Sequence, residues 1–132
     1  MPHSICYVSN SAEGLNKEQL EAILNKTYTN NSLKEISGIL LHSMGHFFQV
    51  IEGDEDEILS LYEKIKVDNR HHNIFEVMNK PREKRFFEGY ATDFKIIRTS
   101  QQLKDILLYL EGLKESSTAD KLHRLLQPFI ID

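Results

Sequence analysis

The stretch Ile36-Ser37-Gly38-Ile39-Leu40-Leu41-His42-Ser43-Met44-Gly45-His46-Phe47-Phe48-Gln49-Val50-Ile51-Glu52-Gly53 constrains this chain more than any other. It reads as two strands joined at Gly45, and strand residues alternate faces. Phe47, Gln49 and Ile51 therefore share one side, while Phe48, Val50 and Glu52 share the other. Gln49 is an amide set among apolar residues on its own face. Burying such a group without a partner costs roughly 1–3 kcal/mol. Something polar must meet it, and that partner is the route to function.

The flanking pattern places the hairpin in an α+β fold. Residues 3–9 alternate as a first strand, with His3, Ile5, Tyr7 and Ser9 set against Ser4, Cys6 and Val8. Asn16 and Gln19 form a capping box, and Leu20, Ile23, Leu24 and Tyr28 follow at helical spacing. That helix is expected to run from about residue 17 to an end at Asn30-Asn31. Past the hairpin, Asp54 offers a cap with Glu57 three residues on. Ile58, Leu61, Tyr62 and Ile65 then form a second stripe. Two more strands are predicted, from Asn73 to Met78 and from Glu88 to Ile97, around a break at Pro81. The resulting βαββαββ order is ferredoxin-like, with both helices on one sheet face and a ligand groove between them. Beyond this domain, residues 1–97, a helical extension is expected over 98–132. Leu103, Ile106, Leu107, Leu110 and Leu113 make one stripe, and Leu122, Leu125, Leu126 and Phe129 another. A loop over residues 115–120 separates them. Such a hairpin suits either the second sheet face or a second subunit.

Composition excludes several classes. A formal charge of −4 argues against nonspecific nucleic-acid binding. The basic run Lys80-Pro81-Arg82-Glu83-Lys84-Arg85 is interrupted by proline and an acid and reads as a solvated turn. No segment approaches the ~18 apolar residues of a membrane span, and the amino terminus lacks signal-peptide character. The single cysteine, Cys6, forms no internal disulfide, which suits a cytoplasmic protein. His42, His46, His71 and His72 lack partners at metal-ligand spacing, so no metal site is expected. An acylphosphatase-like hydrolase would need an arginine in a phosphate loop after the first strand. That loop here is Ser9-Asn10-Ser11-Ala12-Glu13-Gly14, so no enzyme is expected.

Tyr7, Asn31 and Gln49 are the residues worth combining. The first and third strands of a ferredoxin-like sheet are central neighbours, which sets Tyr7 beside Gln49 under the helices. A phenol and a carboxamide facing a groove can bond each other and a planar heterocycle. Each also has a purely structural reading as a satisfied core or helix-end group.

At these residues the sequence resembles the BLUF family of flavin-binding blue-light sensors, from about Ile5 to Phe94. The resemblance is carried by Ile5-Cys6-Tyr7-Val8-Ser9, Asn30-Asn31, Ile36-Ser37-Gly38-Ile39-Leu40, Phe47-Phe48-Gln49-Val50-Ile51-Glu52-Gly53 and Asp68-Asn69-Arg70-His71-His72 in register. It implies that Tyr7 gives an electron and then a proton to the photoexcited flavin, and that Gln49 bridges Tyr7 and the flavin edge. It implies that Asn31, with Asn30 beside it, bonds the ring's carbonyl region, and that Ile23 and Ile65 sandwich the ring. Lys64, Asp68, Arg70 and His71 fall where the family holds the ribityl, phosphate or adenine end. The implied cofactor is FAD, with FMN or riboflavin as alternatives. Where members often read Trp-Ser-Met, this chain reads Tyr90-Ala91-Thr92. Thr92 thus stands in for a methionine signal relay, and Tyr90 is a candidate second electron donor. A flavin–cysteine adduct of the other blue-light type lacks its Asn-Cys-Arg motif. Output is expected through association, as a homo-oligomer (dimer or larger) or with a separate downstream protein, because no effector fits after residue 97. The competing reading is a light-insensitive interaction module that has lost its flavin.

Overall fold

In the computed structural model, residues 2–87, 90, 93–113 and 117–129 are described. Two compact units separate at Ile96/Ile97. The first is an α+β sandwich. Its elements are β1 (Pro2–Ser11), α1 (Lys17–Leu33), β2 (Ser37–Ser43), β3 (His46–Asp54), α2 (Glu55–Lys66), β4 (His71–Pro81) and β5 (Phe94–Ile96). The second unit carries α3 (Ser100–Gly112) and α4 (Ser117–Leu126), which contact each other and are joined by a bond from His123 Nε2 to Glu111. Among the described residues, no helix is long and apolar enough to cross a membrane.

The five strands lie in the order β4-β1-β3-β2-β5. The first four are mutually antiparallel in the ferredoxin-like arrangement, and β5 is added parallel to β2. The β2–β3 turn is Met44-Gly45, both residues at positive φ (53° and 81°), as the tight primed hairpin turn requires. Direct partners across an antiparallel ladder share a face. Ile5 and Ile51, Tyr7 and Gln49, and Leu40 and Gln49 therefore project together under the helices. There Ile5, Leu24, Ile51, Ile58 and Tyr62 form a closed core. Each fully buried aliphatic side chain contributes about 1.5–3 kcal/mol. The opposite face carries Cys6, Ile39, Leu41, Phe48 and Val50, all buried.

Local signals explain most element ends. The Asn16/Gln19 capping box forms with both of its bonds, and Thr99 with Gln102 builds another at the start of α3. Four expectations need correction. First, α1 does not end at Asn30-Asn31. It continues to Leu33, and the left-handed residue that turns the chain is Glu35 (φ 56°). Second, the Asp54 side chain makes no capping bond, and acidic Glu55, Asp56 and Glu57 face the positive helix end instead. Third, β4 reaches Pro81, because the proline sits on an edge strand where its missing N–H breaks no ladder. Fourth, among the described residues the last strand is Phe94–Ile96, and Tyr90 lies in a turn with its own N–H on the Phe87 carbonyl, while Glu88, Gly89 and Ala91 of the expected strand lie outside the described residues. Thr92 lies outside the described residues.

Gly38 locks β2 against β3. Its φ is +132°, and a Cβ there would stand 1.9 Å from the Val50 carbonyl oxygen. Gly38→Ala should therefore cost roughly 2–4 kcal/mol. Urea denaturation is expected to show a lowered midpoint with an unchanged slope.

Candidate functional site

A cavity of about 230 Å³ opens between α1, α2 and the sheet. The sheet supplies its floor through Tyr7, Leu40, Phe47 and Gln49. One wall is a single α1 face, Ile23, Lys26, Thr27, Asn30 and Asn31, at the i, i+3, i+4, i+7, i+8 spacing of a helical stripe. The other wall is Leu61, Lys64 and Ile65 on α2, continued by Asp68, Arg70 and His71. The ten residues Tyr7, Ile23, Asn30, Asn31, Gln49, Lys64, Ile65, Asp68, Arg70 and His71, separated by up to 64 positions in sequence, thus surround one space. Sequence reasoning missed Lys26, Thr27, Leu40, Phe47 and Leu61. Leu61 already belongs to the second apolar stripe, and extending the first past its apolar members would have found Lys26 and Thr27.

On the floor, Tyr7 and Gln49 are direct ladder partners, and the Gln49 Nε2 donates to the Tyr7 hydroxyl at 2.5 Å. The β1–β4 ladder is irregular on both sides of Tyr7, between Cys6 and Tyr7 and between Val8 and Asn10. Irregularities of this kind re-aim a side chain. Burial holds the Tyr7 phenol well above the usual tyrosine range, against the opposing effect of the amide donor. Tyr7 therefore keeps its proton at ordinary pH.

Two polar atoms of the site have no hydrogen-bond partner among the described residues. Gln49 is 3% exposed and its Oε1 is unbonded; Asn31 is 2% exposed and its Nδ2 is unbonded. Both residues line the cavity. Buried polar atoms are almost always satisfied, so one acceptor and one donor left open at the same cavity call for a ligand edge with the complementary pair. An apolar lining from Ile23, Leu40, Phe47 and Ile65 completes a slot for a planar ring. The chemistry of this donor set fits a flavin ring.

The mouth is charged. Arg70 grips Asp68 through Nε and Nη2, with Nε at 2.9 and 3.0 Å from the two carboxylate oxygens, and its backbone N–H adds a third donor. This pairing holds the Asp68 carboxyl below the usual range and the Arg70 guanidinium above it. His71 donates from Nε2 to the Ile65 carbonyl at 2.7 Å, since a carbonyl only accepts, and its Nδ1 meets Ser9 Oγ at 2.7 Å. Its ring thereby ties the end of α2 to β1, packed edge-on against Tyr7 with centroids 5.9 Å apart. His42 instead stacks near Phe47 at 4.7 Å and bonds Ser11, bracing the hairpin.

An α+β sandwich with a polar-floored, apolar-walled slot suits a planar cofactor. The BLUF profile, described as "Sensors of blue-light using FAD", matches residues 3–93. The chain belongs to this family of blue-light sensors that use flavin. It is 30% identical over 112 residues to the photoactivated adenylate cyclase subunit beta of Euglena gracilis, covering 81% of this chain and 13% of that protein. It is 38% identical over 61 residues to the blue light- and temperature-regulated antirepressor BluF of Escherichia coli K12, covering 46% and 14%. The chain therefore spans only about an eighth of the length of these curated relatives. Among solved structures it resembles the BLUF domain of BlrP1, with a TM-score of 0.71 at 31% identity, covering 100% of this chain and 91% of that one. It also resembles the dark state of BlrB, a BLUF protein, with a TM-score of 0.68 at 26% identity and 96% coverage of each.

The Arg70–Asp68 pair gives a signed pH expectation. With its carboxyl held low in the fold, Asp68 contributes stability above its unfolded value of about 3.9, and that contribution is lost as pH falls through the folded value. Arg70→Gln should lower thermal stability slightly at neutral pH, since the pair is partly solvated. The difference from wild type should vanish in acid, as a melting-temperature profile against pH would show.

Proposed function

We propose that this chain is a blue-light photoreceptor in which Tyr7 and Gln49 form the photochemical pair and the cavity holds FAD. One observation carries the reading: the open Gln49 Oε1 and Asn31 Nδ2 at one cavity, beside a phenol already bonded to the same amide. A bound flavin supplies the blue absorption and the electron acceptor. Ile23 and Ile65 would hold the ring faces, and Asn31, with Asn30 beside it, would fix its polar edge. Tyr7, almost fully buried, keeps the transferable proton at Oη. In the present orientation the Gln49 amide gives Nε2 to Tyr7 and leaves Oε1 open. Rotation about the side chain, or tautomerisation, exchanges the ends, so the phenol then donates and an N–H faces the cavity. A donor turned toward a ring carbonyl lowers the excitation energy, which reads out as a redshift.

The charge at the mouth supports a phosphorylated flavin. Lys26 on α1 and Lys64 on α2 stand at the cavity, and cations there favour a phosphorylated tail over riboflavin. The family description names FAD. Asp68, Arg70 and His71 shape that mouth. We place the protein in the cytoplasm, where one buried free cysteine is stable. The chain acts as a sensor rather than a catalyst. Its output is light-dependent association, between copies of itself or with a separate protein, and the leucine-rich α3–α4 unit supplies the apolar material. Thr92 and Tyr90 are the proposed relay positions. Light must shift that association by differential stability of the two states, typically about 1–3 kcal/mol.

Purified protein loaded with FAD should be yellow and show a reversible redshift on blue illumination. Tyr7→Phe and Gln49→Leu should each abolish the redshift while retaining bound flavin. A colourless protein that takes up no flavin would instead support the light-insensitive interaction module.

Calorimetric titration tests the tail assignment. Lys26→Gln and Lys64→Gln should each weaken FAD binding several-fold in low salt and leave riboflavin affinity nearly unchanged. Equal losses for both ligands would show that the lysines act on the ring slot.

A further inference from the structure

The turn after β4 carries a charge pattern that the cavity does not use. Lys80-Pro81-Arg82-Glu83-Lys84-Arg85 sets four cations and one acid within six residues of a chain whose formal charge is −4. A merely solvated turn would leave its backbone to water, but this one is fastened at three places. The Arg82 N–H donates to the Pro2 carbonyl at 2.9 Å, which ties the turn to the start of β1. Arg85 Nη1 donates to the Glu35 carbonyl and to Ser37 Oγ, both at 3.0 Å, which ties it to the start of β2. The Phe86 and Phe87 N–H groups donate to the buried Glu52 carboxylate, which ties it to β3. We infer that this turn is a preorganised docking surface for a carboxylate-rich segment of a partner protein. The surface gives the proposed association with a separate protein a place and a chemistry, and its use in signalling rests on that reading.

The cations are held in place but not neutralised. Among the described residues, Arg82, Lys84 and Arg85 meet no carboxylate. The Arg82 guanidinium carbon stands 4.8 Å from the centroid of the Phe86 ring, with Nη1 3.9 Å from Met78 Sδ. Its Nε is buried without a hydrogen-bond partner, so the guanidinium has given up water there without gaining an acceptor. An aromatic face and a thioether restrain the group, yet neither is a strong acceptor for its N–H donors. Arg85 spends its Nη1 on neutral oxygens, so its charge also stays open. Lys84 is exposed between the two arginines, and Lys80 adds another exposed cation at the end of β4. Glu83, also exposed, is the acid of the run.

An arginine fork takes carboxylates and phosphates alike, so the surroundings decide between them. A nucleic acid gains affinity with each phosphate neutralised, and this run is short and interrupted by Pro81 and Glu83. The net negative charge of the chain also repels a long polyanion. A short acidic segment meets only the turn, within a screening length of its cations, where the local sign is positive. Fixing those cations before binding lowers the ordering cost of association. The bonds from Phe86 and Phe87 then fasten the occupied turn to β3, three residues along the strand from Gln49.

The test uses the full chain loaded with FAD and an oligoglutamate peptide carrying a red-excited dye, titrated by fluorescence anisotropy in low salt. Wild type should bind the peptide and release it as salt rises. Arg82→Gln and Lys84→Gln should each weaken binding several-fold, and Arg82→Lys should recover only part of the loss, since it restores the charge without the fork. Lys84 is exposed, so its variant does not put folding at risk. Lys17→Gln, which removes an exposed cation at the start of α1, should leave binding unchanged. Wild-type affinity in both Arg82→Gln and Lys84→Gln, or an equal loss in Lys17→Gln, would overturn the surface. Tighter binding of a single-stranded oligonucleotide of equal charge would overturn it too, and would assign the turn to nucleic acid. The redshift is recorded in the same samples. A redshift without peptide binding overturns the surface and leaves the photoreceptor reading standing, and peptide binding without a redshift does the reverse.

Discussion

The side-by-side placement of Tyr7 and Gln49 across the β1–β3 ladder is the constraint on which the rest of the site depends. A side chain in the middle of a sheet is aimed by the backbone ladder, and a register slip by one residue would turn it to the other face. Both faces of β3 are buried, so a slip would carry Gln49 among the neighbours of Phe48 and Val50 and set the Glu52 carboxylate against the helices. The positive-φ turn at Met44-Gly45 and the close approach of Gly38 to Val50 fix the register from the backbone side. The amide is therefore held to one position and left free to rotate about its own terminal bond. Such a group can change its hydrogen bonds without moving the fold.

The same strand is tied to a second region on its opposite face. Glu52, three residues beyond Gln49 and fully buried, accepts from Ser4 Oγ at 2.5 Å, from the Phe87 N–H at 2.8 Å and from the Phe86 N–H. Three donors justify a buried carboxylate that would otherwise cost several kcal/mol. They also pin the turn after β4 to β3. Arg85 adds a bond to the Glu35 carbonyl and one to Ser37, joining that turn to the start of β2. β3 thus carries the amide of the cavity on one face and the anchor of the 85–87 turn on the other, three residues apart along the strand.

The parts legible in sequence were those set by local chemistry and strict periodicity. Alternation around Gln49, the Asn16/Gln19 box and the glycine turn each acts over a few residues, so the strands, α1 and the Tyr7–Gln49 pairing followed. Less legible were features decided by distant contacts. Asn31 looks like a helix-ending residue, yet it stays helical because its buried side chain belongs to the cavity and its carbonyl accepts from both Lys34 and Ile36. Asp54 looks like a cap, but three acids in the first turn already meet the helix end. The stretch around Tyr90 carries strand-like residues, but bonds from Glu52 to the backbone at Phe86 and Phe87 hold its approach in a turn.

The two helices show how a small sandwich hosts both a core and a cavity. On α1, Leu20, Ile23 and Leu24 give way along the same face to Lys26, Thr27, Asn30 and Asn31. On α2, Ile58 and Leu61 give way to Lys64 and Ile65, and Asp68 follows beyond the helix end. The closed half is sealed by aliphatic burial. The open half carries unsatisfied buried atoms, each destabilising by about 1–3 kcal/mol until a ligand meets it. Anything that binds the folded state there and not the unfolded chain adds its binding free energy to stability. Ligand affinity and fold stability are consequently one quantity in this half of the molecule. The unbonded Gln49 oxygen is where the two meet, because the same atom that weakens the empty sandwich is the one that distinguishes the two orientations of the amide.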